Sequence, residues 1–376
     1  MKKFLSWLKY LLKKDLMLSV SLVAAAVSLF ITPPSRELIN DINWRTLATL
    51  FMLLSVLEGF KSENIFEPLL RKTQKFSSLK TLTVFFVFCV FFSSMFVTND
   101  VSLIIFVPLT IILFRAGGNE RYILPVLTFE NIAAIRGSLL TPFGSPQNLF
   151  LFSQSGMNAL DFMAMMLPLW IMSMVLITLF ILFIYRKNLK EEIRPDKVFT
   201  DGEKSTAGKV YVALFVLVVI TIVSQTKYWP LVLVIVSAAL FIFDRDVFRR
   251  VDYVLLLTFL CFFVFSSSVA ANPAISGFLS RSVAGHEYIW SIAVSQVISN
   301  VPAAIVLWPF TEDLKALIYG LDSAGLVSII GSLASVINLR LYTREYPGRA
   351  KDFLVTFEVI SLAFFALVCI PQLLLI

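Results

Sequence analysis

Two short polar segments, Phe96-Val97-Thr98-Asn99-Asp100 and Ile298-Ser299-Asn300-Val301-Pro302, sit inside long apolar runs and constrain this chain more than any other feature. A proline follows each asparagine after nine residues (Pro108 after Asn99, Pro309 after Asn300), so 201 residues separate both the asparagines and the prolines. A polar tip buried in hydrocarbon is costly unless it is satisfied or used. The same tip occurring twice predicts a binding site made from two related halves of a membrane transporter.

Composition supports a membrane setting. Hydrophobic residues make up 58% of the chain and charged residues 15%, against about a quarter charged in soluble domains. Runs such as Met163–Tyr185 and Phe353–Ile376 reach the roughly 20 residues a span requires. The basic stretch Met1–Lys14 leads into an apolar run without a small-residue cleavage site, so it does not read as a cleavable signal. The net charge of +7 is concentrated in alternate loops, the positive-inside pattern, and argues for a bilayer and against nucleic acid. Cys89, Cys261 and Cys369 are scattered in apolar runs and read as small core residues. The single histidine, His286, cannot form a metal or catalytic cluster on its own.

The expected fold is an all-α polytopic membrane protein of inverted-topology repeats, with two re-entrant hairpins and two broken transmembrane helices. Residues 1–185 form the N-terminal repeat: spans 16–32 and 44–60, hairpin 81–114, broken helix 122–152 and span 161–185. The hairpin assignment follows from basic residues at both ends, Lys80 before and Arg115 and Arg121 after. Residues 186–209 form a charged cytoplasmic linker. Residues 210–376 form the C-terminal inverted repeat: spans 210–223, 229–243 and 253–270, hairpin 288–310, broken helix 316–339 and span 353–376. The N-terminus is placed in the cytoplasm and the C-terminus outside. Ile65–Lys72 is amphipathic and is expected along the inner surface. Matching landmarks support the repeat: Asn43-Trp44 with Asp252-Tyr253, and Asn148-Leu149 with Asn338-Leu339.

Half-helices that stop in the membrane expose N–H donors at one end and carbonyls at the other. Anionic groups suit the former, and Na⁺ suits carbonyls with Asn, Thr and Ser oxygens. Candidate substrate contacts are Thr98, Asn99, Thr141, Gly144, Ser145, Asn148, Ser299, Asn300, Val301, Ser335 and Asn338. Asp100, Asn99, Gly137, Asn300 and Gly331 are candidates for ion coupling, with Na⁺ at the hairpin tips. For Asp100 the choice lies between binding a coupling cation and pairing with an arginine. Arg136 either holds an anionic substrate, pairs with Asp100 or Glu130, or faces water. Thr141 and Asn148 either line the first break or cap its half-helices, and Gly331, Ser332, Ser335 and Asn338 either line the second or allow close packing. Glu58 reads as an interfacial charge, and Pro108 and Pro309 as helix kinks.

The run Gly137-Ser-Leu-Leu-Thr-Pro-Phe-Gly-Ser-Pro-Gln-Asn-Leu149, with Thr98-Asn99-Asp100 and Ser299-Asn300-Val301-Pro302, resembles the broken-helix and tip motifs of the ion transporter superfamily. The nearest resemblance is to its anion-permease branch, beside the arsenite-efflux permeases and the citrate and dicarboxylate/sodium symporters. It implies a fixed scaffold domain, a mobile transport domain moving like an elevator, and substrate held between tips and breaks. Dicarboxylate symporters carry Ser-Asn-Thr at both tips; the Asp100 and Val301 found here depart from that pattern.

The function expected is secondary active transport of a small anion or oxyacid across the bacterial inner membrane, coupled to Na⁺ or H⁺, without a cofactor. The alternatives are Na⁺/H⁺ antiport through Asp100 and arsenite-type efflux. Intramembrane enzyme chemistry lacks a paired-carboxylate, His-x-x-x-His or serine–histidine signature. The chain carries no Gly-x-x-x-x-Gly-Lys-Ser/Thr run, so an ATPase would be a separate chain. Homodimer formation is left open.

Overall fold

The computed structural model describes residues 16–32, 36–63, 78–116, 118–187 and 206–376. The basic stretch 1–14, the expected surface segment 65–72 and most of the linker 186–209 lie outside the described residues. Apolar backbone in a bilayer must satisfy its own N–H and C=O groups, and helices do so internally. In chain order the helices are α1 (Leu16–Ile31), α2 (Arg36–Asp41), α3 (Trp44–Ser62), α4 (Leu79–Val97), α5 (Asn99–Ala116), α6 (Ile123–Gly137), α7 (Pro146–Ser155), α8 (Ala159–Ile184) and α9 (Thr206–Val223). They continue as α10 (Trp229–Phe243), α11 (Val247–Arg250), α12 (Tyr253–Ala270), α13 (Pro273–Val283), α14 (Glu287–Ile298), α15 (Asn300–Leu307), α16 (Leu314–Val327), α17 (Leu333–Glu345) and α18 (Ala350–Leu375).

Among the described residues, α4, α8, α12 and α18 are long and apolar enough to cross a membrane. Ser21–Phe30, Gly208–Val223 and Trp229–Phe243 are shorter apolar helices. Helix α8 leaves Leu167, Ile171, Val175 and Leu179 exposed. Their spacing of four places them on one helix face, which suits lipid contact.

The helices pack in two groups. One contains α1, α3, α9, α10 and α12, where α1 lies along α12 and α9 along α3. The other contains α4, α5, α6, α7, α8, α14, α15, α16, α17 and α18, built on the pairs α4–α6, α14–α16 and α5–α17. The groups meet where α3 packs on α7 and α12 packs on α15.

Four helix ends position the site. Helices α4 and α5 pack against each other and are separated by Thr98 alone, which has φ 69° and ψ 157°. Helices α14 and α15 repeat this around Ser299, at φ 69° and ψ 162°. That backbone region is normally left to glycine. Helix α6 stops at Gly137 and α7 starts at Pro146; α16 stops at Val327 and α17 starts at Leu333. Gly137 lies so close to α4 that a Cβ there would stand 1.9 Å from the Phe91 carbonyl oxygen. At Gly331 a Cβ would stand 2.0 Å from the Ala324 carbonyl oxygen.

Candidate functional site

The first tip is tied to the segment between α6 and α7. The Asn99 N–H donates to the Gly144 carbonyl (3.2 Å), and the Thr141 hydroxyl donates to the Met95 carbonyl. The Ser145 hydroxyl accepts the Asn148 N–H at 3.4 Å and Pro146 follows it, so residues 145–148 form an N-terminal cap for α7. The Asn99 side-chain oxygen accepts the Asp100 N–H at 2.9 Å.

Two cavities adjoin the tips. The first, of about 90 Å³, is lined by Thr98, Asp100 and Ser145 from the tip side, by Leu53 and Glu58 of α3, and by Asp252 and Leu255 at the start of α12. The second, of about 40 Å³, is lined by Ser299, Val301 and Pro302 of the other tip and by Thr258. Asp252, Leu255 and Leu333 line both, so the cavities adjoin through a common wall. The first has room for several water-sized groups, since one needs about 10–15 Å³. Asp252 holds its place by accepting the Leu255 N–H at 3.0 Å. Glu58, Asp100 and Asp252 give the first cavity three carboxylates, although among the described residues no acidic or thiol cluster is placed to hold a metal ion. Leu53 and Glu58 come from the C-terminal half of α3, and Asp252 immediately precedes α12.

Residues 7–336 fit the sequence pattern of the citrate transporter family, CitMHS. The chain belongs to that family. This CitMHS chain is 32% identical over 324 residues to the inner membrane protein YbiR of Escherichia coli K12, covering 85% of this chain and 86% of the relative. It is 30% identical over 309 residues to the uncharacterized transporter MJ0456 of Methanocaldococcus jannaschii, covering 81% and 83%. It is therefore a multi-pass membrane protein that transports a solute, and not an enzyme.

Several sequence candidates of this CitMHS chain stand away from the cavities. Ser335 accepts a hydrogen bond from Asn131 at 2.9 Å, and Asn338 donates to the Leu127 carbonyl at 2.8 Å. These bonds fasten α17 to α6. Gly137 and Gly331 serve close backbone approach. Asn300 is buried, its side-chain oxygen accepting from the Ser299 hydroxyl at 3.4 Å. Asn148 is buried beside Asp322.

The expected partners of Arg136 are corrected. Its side chain is fully buried, lines neither cavity, and donates from Nη2 to the Ser323 hydroxyl at 3.1 Å. The acid that acts on it is Asp322, whereas Glu130 accepts a hydrogen bond from Thr110 and Asp100 lines the first cavity. Glu58, expected as an interfacial charge, lines the first cavity.

Asp322 itself was missed by sequence reasoning. It is 1% exposed on α16, and its Oδ1 accepts from the Gln147 amide at 2.9 Å. The available signal was an acid inside an otherwise apolar helix, which by default marks function in a membrane protein. Asp252 was also missed, since it reads as the last charge of the loop after α11.

Proposed function

We propose that the chain carries a small anion or oxyacid across the bacterial inner membrane together with Na⁺ or H⁺, by alternating access. The carrying observation is that the two tips, Thr98 and Ser299, adopt one backbone conformation and line cavities that share a wall. In this reading α4–α5 and α14–α15 are re-entrant hairpins of two inverted repeats, and α6–α7 and α16–α17 are the broken helices beside them. The α3/α12 group is the scaffold, and the group holding the tips is the part that moves. The family supports carriage of a small carboxylate, and the relatives' descriptions as an inner membrane protein and a transporter support the setting.

The electrostatics of the first cavity support coupling. An anion entering beside Glu58, Asp100 and Asp252 meets like charge in a poorly screened place. Cations or protons must accompany it. With the charged 244–252 loop in the cytoplasm, the cavity opens inward, and this is the inward-facing state. Sliding the tips along α3 and α12 toward Trp44 and Ala270 then gives the outward-facing one.

The test is counterflow in proteoliposomes with labelled citrate, succinate and arsenite, with and without a Na⁺ gradient and a pH gradient. Saturable counterflow of one of the anions, increased by one gradient, is expected. Absence of anion counterflow together with Na⁺/H⁺ exchange abolished by Asp100→Asn would establish the second reading, cation antiport. The three carboxylates of the first cavity favour that alternative over the arsenite one.

A further inference from the structure

A second polar cluster lies inside the tip-bearing group, apart from the cavities. Arg136 of α6 donates to Ser323 of α16 at 3.1 Å, while its Nε and Nη1 have no hydrogen-bond partner among the described residues. Ser323 exchanges hydrogen bonds with Gln372 of α18 (2.7 and 3.0 Å), whose amide oxygen also accepts from the Tyr288 hydroxyl of α14 at 2.7 Å. The neighbouring residue, Asp322, receives Gln147 on Oδ1, and its Oδ2 has no hydrogen-bond partner among the described residues. The cluster therefore holds one guanidinium and one carboxyl, both buried, with no ion-pair contact between them among the described residues.

Such a pair is an expensive structural device. A buried carboxylate needs a direct partner or a proton. Arg136 offers charge without an ion-pair contact, and Oδ2, which has no hydrogen-bond partner among the described residues although Asn148 lies beside it, leaves room for a proton. Gln147 then reads the outcome, because an amide N–H bond to a carboxylate is stronger than one to a neutral acid. Gln147 lies two residues from Ser145, a wall of the first cavity. A proton at Asp322 can thus alter the cap that sets that wall.

The charged and titratable surroundings of Asp322 are few. From α6 it faces Arg136, the one charged group among the described residues that acts on it. Helix α7 offers Gln147 and Asn148, and α15 carries no titratable side chain. Helix α14 offers Tyr288, and α18 offers Gln372 with Cys369 behind it. Its own helix carries Tyr319, whose hydroxyl bonds the Met165 carbonyl of α8 at 2.8 Å, and Lys315, which bonds the Leu375 carbonyl. Glu358 of α18 faces elsewhere, accepting the Ile329 N–H at 3.3 Å. Of α17, Ser335 and Asn338 bond α6, and Arg340, Arg344 and Glu345 lie at its far end.

We propose that Asp322 is the proton-binding group of this transporter, with Arg136 as its fixed counter-charge and Gln147 as the link from its protonation state to the cavity. The proposal rests on the transport reading above but is tested without a substrate. The full-length protein in lipid is titrated by infrared difference spectroscopy, following the C=O stretch of protonated carboxyl groups between pH 5 and 9. Glu130 is a second buried carboxyl whose Oε2 has no hydrogen-bond partner among the described residues, so the assignment is read in Glu130→Gln. A carboxyl band is expected to titrate there, to vanish when Asp322→Asn is added, and to persist when Asp100→Asn is added. Arg136→Lys should retain the band, and Gln147→Leu should move its midpoint to higher pH, because a bond to the ionised form is removed. A wild type with no titrating band, or a band in Glu130→Gln that survives the added Asp322→Asn, overturns the proposal while leaving the anion-counterflow result untouched. Since the wild-type titration alone can fail, misfolding of a variant does not protect the proposal.

Discussion

Thr98 and Ser299 share one unusual backbone conformation, φ 69° with ψ 157° and 162°, although 201 residues lie between them. Each is the single residue between two packed helices, and each lines a cavity. Conformations in this region cost about 1–3 kcal/mol and persist where surrounding structure enforces them. The two tips therefore share one strained backbone conformation.

Thr98→Gly should relieve that strain. Glycine returns part of the gain as unfolded-state entropy, about 0.5–1 kcal/mol. The expected net effect is a stabilisation of up to roughly 2.5 kcal/mol, seen as a higher unfolding temperature in detergent, together with slower transport because the Thr98 side chain is gone from the cavity wall. A lower unfolding temperature would mean the tip is unstrained.

Gly137→Ala tests the close approach of α6 to α4. The obstacle is a backbone oxygen that cannot rotate away, so a cost of about 1–3 kcal/mol is expected, as for overpacking. Gly277→Ala is the control, since nothing lies within 4 Å of its Cβ position in α13; it should be neutral or slightly stabilising. Thermal unfolding of both variants decides it, and equal behaviour would contradict the packing described.

Leu333 lines both cavities and is only half-buried. Leu333→Trp should fill the space between the tips, abolish counterflow, and leave the elution profile on size exclusion unchanged. Counterflow at wild-type rate would show that solute does not occupy these cavities.

Asp244 gives a pH prediction outside the membrane. Burial pushes its carboxyl up, but hydrogen bonds from Tyr211 (2.7 Å) and Arg250 (2.6 Å) outweigh this and hold it below the usual carboxylate range. A carboxyl depressed in the folded state contributes stability above its unfolded value of about 3.9 and loses it as pH falls through the folded one. The stability gap between wild type and Asp244→Asn should be full at pH 7 and shrink below about pH 4. A gap independent of pH would contradict the bonded geometry.

The helical, membrane-embedded class was legible because apolar runs of span length leave few alternatives. The helix interruptions were legible at Thr98-Asn99, Ser299-Asn300 and the proline- and glycine-containing run from Gly137 to Asn148, where local chemistry disfavours a continuous helix. Long-range side-chain partners were not. Arg136 and Ser323 meet across 187 residues, and no local pattern records that contact. Glu58 and Asp252 were read by distance from the ends of their segments, but cavity access depends on which face of α3 meets the tips. Gln147 read as part of a motif, and its bond to Asp322 depends on how α7 packs against α16.

The central claim is that α4–α5 enters and leaves the membrane on one side while α14–α15 does so on the other. It is tested by impermeant thiol labelling in sealed vesicles, after replacing the three native cysteines. Lys80→Cys and Arg115→Cys should react from the same side, and His286→Cys and Thr311→Cys should both react from the opposite side. Labelling of Lys80→Cys and Arg115→Cys from opposite sides would make α4–α5 a complete crossing and contradict the account.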